Sequence, residues 1–116
     1  MQGTDFSIEC IERGADSARW RAYVPPDLAY LEGHFPGAPI VPGVAQIVAL
    51  AEARARASWP DLGAPAGLRR VKFTAALRPR DSLTVTLERS GERVRFSIER
   101  GDEPCSRGTL LFSPPP

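Results

Sequence analysis

The chain has 116 residues, with 15 Lys and Arg against 14 Asp and Glu and a formal charge of +1, which suits one small domain around one core. Its 42% apolar and 25% charged residues are those of a folded soluble globule, and the near-neutral balance excludes a strongly basic nucleic-acid binder. No apolar run approaches the roughly 20 residues that cross a bilayer, and Met1 to Asp5 has no secretion-signal pattern, so a cytoplasmic place without membrane insertion is expected.

In chain order, Phe6, Ile8 and Cys10 alternate with polar neighbours, as do Trp20, Ala22 and Val24. That spacing predicts two strands with Gly14-Ala15-Asp16 as their turn. Pro25-Pro26 closes the second strand, since neither proline can donate to a ladder. Asp27 is placed to cap a short helical turn over Leu28 to Leu31.

Gly33 to Gly43 then carries three prolines and three glycines in eleven residues, which excludes a helix or a central strand. Its apolar Phe35, Ile40 and Val41 predict a loop packed on the body, a rigid mount for a reactive side chain. From Gly43 to about Ser58 the spacing predicts a helix with Val44, Ile47, Val48, Ala51 and Ala55 on its inner face. Alanines make its other faces small, so it should be largely enclosed, with Arg54 and Arg56 marking the end that emerges.

Trp59-Pro60 ends that helix, and Asp61 to Gly67 reads as a loop. Four strands are expected next: Val71 to Leu77, Leu83 to Leu87, Val94 to Ile98, and Thr109 to Phe112. Pro79-Arg80-Asp81, Ser90-Gly91 and Gly101-Asp102 are the turns, and the proline tail should fray. The order predicts a single α+β domain over residues 1–116, an antiparallel sheet of five or six strands wrapped around one long helix. One helix cannot cover six strands, so the remaining apolar surface predicts self-association. Cys10 and Cys105 are expected to stay reduced, and with His34 the only histidine no zinc site is expected.

The run Gly33-His34-Phe35-Pro36-Gly37-x-Pro39-Ile40-x-Pro42-Gly43-Val44 resembles the signature of the 3-hydroxyacyl-[acyl-carrier-protein] dehydratases, a hot-dog-fold family. Its continuation, Gly43-Val44-Ala45-Gln46, is most similar to the branch associated with aryl polyene pathways. Val71-Lys72-Phe73, Pro79-Arg80-Asp81 and Gly108-Thr109-Leu110 resemble later parts of that family, with Arg80 where the family has glycine. The resemblance implies dehydration of a 3-hydroxyacyl thioester on acyl carrier protein to a trans-2-enoyl product, in a tunnel shared by two subunits. It implies no metal or redox cofactor, because the thioester itself acidifies C2 and the phosphopantetheine arm belongs to the carrier. By position His34 is the base, and Gly43 offers its N–H to the thioester carbonyl at the positive end of the helix dipole. Phe35, Val44 and Val48 are expected to contact the acyl substrate.

The family's acid lies fourteen residues beyond the histidine, and Val48 occupies that position here. Three expectations follow. Glu52, one turn further and about 6 Å deeper, substitutes for the acid; or a related hot-dog subunit supplies a carboxylate in a heterodimer; or the chain is a non-catalytic subunit binding acyl chains or an active homologue. Glu52 is also spaced to pair with Arg56, and Gln46 to bond either near the pocket or toward a partner. A hot-dog thioesterase is the rival enzyme, disfavoured by the same missing carboxylate. Arg54, Arg56, Arg69, Arg70, Lys72, Arg78 and Arg80 are either a solvated face or a basic rim that attracts an acidic carrier protein.

Overall fold

Alternation of apolar and polar residues builds the strands. In the computed structural model, which describes residues 5–28 and 40–114, Ala18, Trp20 and Ala22 turn inward from β2 (Ser17–Tyr23), as do Leu83, Val85 and Leu87 from β4 (Ser82–Ser90). Val94, Phe96 and Ile98 do the same from β5 (Arg93–Arg100). With β1 (Ser7–Arg13), β3 (Pro65–Phe73) and β6 (Glu103–Phe112) they form a six-stranded sheet in the order β1-β2-β4-β5-β6-β3. Every pairing is antiparallel. The sheet closes around one central helix, with Leu50, Ala51 and Ala55 fully buried against it, and this is the hot-dog architecture.

The edges depart from the simple pattern. β1 is an edge strand in which Cys10 is exposed, Phe6, just before it, is buried in the core, and a bulge follows between Cys10 and Glu12. β3 starts at Pro65, inside the predicted loop, and ends at Phe73, so Ala75 and Leu77 lie beyond it. Proline and glycine are admissible there because β3 is an edge strand and Pro65 is its first residue. β6 is likewise longer than Thr109 to Phe112, because Pro104 and Gly108 hide its alternation. Gly108 is required: a Cβ would lie 2.9 Å from both Phe96 and Val71. Of the turn predicted over Leu28 to Leu31 only Leu28 is described, and its N–H donates to Pro25.

The helix runs without a break over 43–58, but not as one α-helix. α1 (Gly43–Ala45) leads into a π-helical segment (Gln46–Glu52) and then α2 (Ala53–Ser58). The wider π turn shifts the buried face to Ala45, Leu50 and Ala55, with Gln46 and Ala51, each series stepping by five. Val44 and Val48, expected inside from a 3.6-residue period, are instead 69% and 50% exposed. Arg56 emerges as expected, while Arg54 is half-buried, its guanidinium 5.3 Å from the Trp20 ring centre. Trp20 Nε1 donates to Ser58 Oγ (2.8 Å), which donates to the Arg54 carbonyl (2.8 Å), locking the helix end to β2. Among the described residues, no helix is long and apolar enough to cross a membrane.

Candidate active site

Residues 40–42 enter the helix as a pinned extended segment. Val41 N–H donates to Leu77 (2.8 Å), and Gln46 Nε2 donates back to the Val41 carbonyl (3.3 Å). Pro42 is the N-cap, with extended φ −64 and ψ 152 and no side chain that could cap. The first donors into the helix are Ala45 and Gln46, both to the Pro42 carbonyl (3.1 and 3.2 Å), so the N–H groups of Gly43 and Val44 precede the intrahelical ladder. They open at the positive end of the helix dipole.

An open cleft of about 570 Å³ lies beside this terminus, lined by Ile40, Val41, Pro42, Gly43, Gln46 and Phe73, and extended by Ala75 and Ala76. It is apolar, with one buried amide. Gln46 is 3% exposed and its Oε1 has no hydrogen-bond partner. Phe73, at the end of β3, lays its ring on Gly43: a Cβ there would stand 2.8 Å from Phe73 Cζ. Glycine at 43 is therefore a requirement of close approach, and the pairing joins the helix terminus to the free edge of the sheet.

His34 and Phe35 lie outside the described residues. Gly43 is where the sequence pattern puts it, on the cleft. Val44 is exposed beside it, and Val48 lies on another flank of the helix. There a smaller hollow of about 350 Å³ collects Val48 with Asp5, Phe6, Ile8, Ala53 and Arg54. Asp5, absent from the sequence-based candidates, is thus the carboxylate that the fold brings to the Val48 position. Only tertiary contact signals it, since the two are 43 positions apart in the sequence. Burial pushes the Arg54 guanidinium below its usual range, opposed by the charge of Asp5. Glu52 closes the π segment, half-buried, and does not line the Gly43 cleft. The expected pair with Arg56 does not form, because Arg56 Nη1 donates to the Gly63 carbonyl (3.0 Å).

The expected basic rim divides. Arg54 lies over Trp20, and the Arg80 backbone N–H is tied to Val24 (2.7 Å). Arg69, Arg70 and Lys72 stay together on β3. Elsewhere Arg89 grips Asp61 through two bonds (2.9 and 2.7 Å), which holds that carboxyl below its ordinary range. Arg100 bonds Glu103 and Asp81 (2.7 Å to the latter), which hold the guanidinium above its usual range. Burial raises the Cys105 thiol, keeping it protonated. Among the described residues no group of His, Cys, Asp and Glu could hold a metal ion.

A hot-dog sheet whose helix N-terminus lies beside an apolar cleft defines the class by its fold. The family follows from comparison. A family model described as ApeI-like, the ApeI dehydratase, matches residues 10–109, and the chain belongs to this family. Among curated proteins it is 37% identical over 97 residues to a 3-hydroxyacyl-[acyl-carrier-protein] dehydratase FabZ of Natranaerobius thermophilus, covering 72% of this chain and 67% of that one. It is 42% identical over 95 residues to the FabZ of Syntrophomonas wolfei, covering 72% and 66%. The matched part thus spans about two thirds of those relatives. Among solved structures, the dehydratase heterocomplex ApeI:P from Xenorhabdus doucetiae has a TM-score of 0.81 at 24% identity, covering 97% of this chain and 98% of that one. A hypothetical thioesterase of Streptococcus pneumoniae, solved with coenzyme A, shares the fold at TM-score 0.70 and 12% identity, covering 94% of this chain and 88% of that one.

Proposed function

We infer that the chain is a hydro-lyase that removes water from 3-hydroxyacyl thioesters carried on acyl carrier protein. The family match over residues 10–109 carries this reading, and the names of the curated relatives agree with it. Thioester hydrolysis is not favoured: the Streptococcus pneumoniae thioesterase shares architecture only, at 12% identity.

The chemistry assigns roles to this chain's own residues. His34 takes the C2 proton, an imidazole being half-protonated near pH 6.5 and a competent base at neutrality. The N–H of Gly43 receives the thioester carbonyl, where the helix dipole stabilises the charge that develops as C2 loses its proton. The apolar walls at Ile40, Val41 and Phe73 hold the chain next to C3. No metal or redox group is needed for these steps.

Loss of hydroxide from C3 requires a proton, and valine at 48 cannot give one. The second subunit of a pair supplies it, in a pocket that the two subunits share. Supporting this are the exposed Val44 and Val48, the unpaired β3 edge with Leu68 and Phe73 in the open, and the similarity to a dehydratase from Xenorhabdus doucetiae that forms a heterocomplex. Glu52, further along the helix, and Asp5, in the hollow at Val48, are the alternatives within the chain. The aryl polyene branch is the finer placing, carried by the run Gly43-Val44-Ala45-Gln46.

The test is turnover of a 3-hydroxyacyl-carrier substrate by the purified chain, alone and mixed with a hot-dog homologue bearing Asp or Glu at the position of Val48. Activity that appears only in the mixture and disappears in His34→Ala supports the paired reading. Full activity alone that falls in Glu52→Gln or Asp5→Asn places the acid within the chain. Full activity in His34→Ala refutes the base assignment.

A further inference from the structure

The face of the sheet turned away from the helix carries a concentration of positive charge that the cleft does not use. Register places Arg95 beside Thr109, Ser97 beside Arg107, and on the next strand Arg69 beside Thr109 and Lys72 beside Arg107. Their neighbours Val94, Phe96 and Ile98 point to the core, so these side chains share the outer face. Two adjoining hollows of about 680 and 350 Å³ lie there, and Arg70, Arg95 and Thr109 line both, making one trough.

Two features separate this trough from an ordinary solvated surface. The first is unbalanced charge. Arg19, Arg21 and Arg95 each have a carboxylate partner, whereas Arg69, Arg70, Lys72, Arg93 and Arg107 have none within 4.0 Å among the described residues. Glu88 is the acid lining the trough, and Arg95 engages it at 3.2 Å. The second is backbone strain. Arg70 sits at φ 53, in the left-handed region, where β3 slips register between Arg69 and Lys72. Strict alternation would send Arg70 inward with Arg69 outward. The bulge adds a residue, so Val71 packs on Gly108 while Arg69, Arg70 and Lys72 all stay with the trough. A non-glycine residue at positive φ is strained, which marks the bulge as a place held by the surrounding structure.

We propose that this trough is a phosphate site for a small polyanion, of the kind presented by the nucleotide end of a coenzyme A thioester. Arginine forks and the hydroxyls of Ser97 and Thr109 suit phosphate oxygens, and five unpaired cations match a ligand bearing several phosphates. A carrier-bound arm has a single phosphodiester and one negative charge, which neither fills about 680 Å³ nor balances five cations. The trough shares no lining residue with the Gly43 cleft, so this inference stands or falls apart from the dehydratase reading.

Calorimetric titration of the full chain with free coenzyme A at low salt tests it, with pantetheine, which lacks every phosphate, as the control. The expected result is saturable sub-millimolar binding of coenzyme A, none of pantetheine, and steep weakening with added salt. The double variant Arg70→Gly/Arg107→Ser should raise the Kd by about tenfold or more. Glycine relieves the strain at φ 53, so an unchanged or higher Tm in Arg70→Gly excludes unfolding as the cause. Coenzyme A binding that is absent, matched by pantetheine, or indifferent to the double variant overturns the proposal. So does retention of a carrier protein on these arginines without competition from coenzyme A, because the surface is then a protein-docking face.

Discussion

Gly43 and Phe73 show how much one missing Cβ decides. The ring occupies the space in which any side chain at 43 would start, and the same glycine lines the cleft and opens the helix with its N–H ahead of the intrahelical ladder. Gly43→Ala should therefore lower stability by about 1–3 kcal/mol through overpacking and reduce dehydration as well. Adding Phe73→Leu should recover most of the stability. Thermal melts of the two single variants and the double variant check this, and additive losses would show that the contact is not the cause. Arg80 is a second such residue. It stands where the resembled family has glycine and takes φ 71, so Arg80→Gly should raise Tm, by a gain of about 1 kcal/mol. A lower Tm would mean that the Arg80 side chain contributes more than the backbone strain removes. The two cysteines should separate under a thiol reagent in native buffer: Cys10 reacts at once, and Cys105, buried with its thiol pushed up, reacts only on unfolding.

The central helix sets the site because of its π segment. An α-helix over 43–58 would bury Val44 and Val48. The π turn rotates them outward and brings Leu50, Ala51 and Gln46 in, which leaves an apolar strip beside the helix N-terminus for another surface to cover. Leu50→Ala removes a fully buried side chain and should cost about 2–5 kcal/mol, read from denaturant midpoints. Val44→Lys, by contrast, should leave the isolated domain's stability nearly unchanged and weaken association, read by sedimentation velocity. An unchanged sedimentation coefficient would separate Val44 from the contact. β3 belongs to the same argument, since an edge strand with Leu68 and Phe73 exposed invites pairing with another edge.

Across the whole molecule, single ties hold the parts that the sheet does not. Arg89 on β4 reaches Asp61 in the connection after the helix, and Arg100 on β5 joins Asp81, just before β4, and Glu103, the first residue of β6. The Asp61 carboxyl is depressed in the folded chain, so its contribution is present above the ordinary carboxylate value near 3.9 and is lost as pH falls through the lower folded value. Asp61→Asn should flatten the acid limb of a stability-against-pH curve. The effect is modest, because Asp61 is exposed and salt-screened. An identical acid limb in the variant would remove the pair from the account.

The sequence alone determined the order of elements, the single central helix, the family loop and the place of Gly43, because each rests on local pattern: period-two alternation, proline and glycine stops, and a motif of fixed spacing. It also exposed the valine where an acid was due. Only the tertiary structure decided which helix face is buried, where β3 begins, and that Asp5 and Val48 line one hollow. The physical reason is the same in each case. A π turn, a bulge and an edge strand that tolerates Pro65 and Gly67 shift side chains by one position, which reverses the face of a strand residue and turns a helix residue by about 100°. Local periodicity cannot register such a shift, whereas packing against Phe73, Trp20 and Leu50 fixes it.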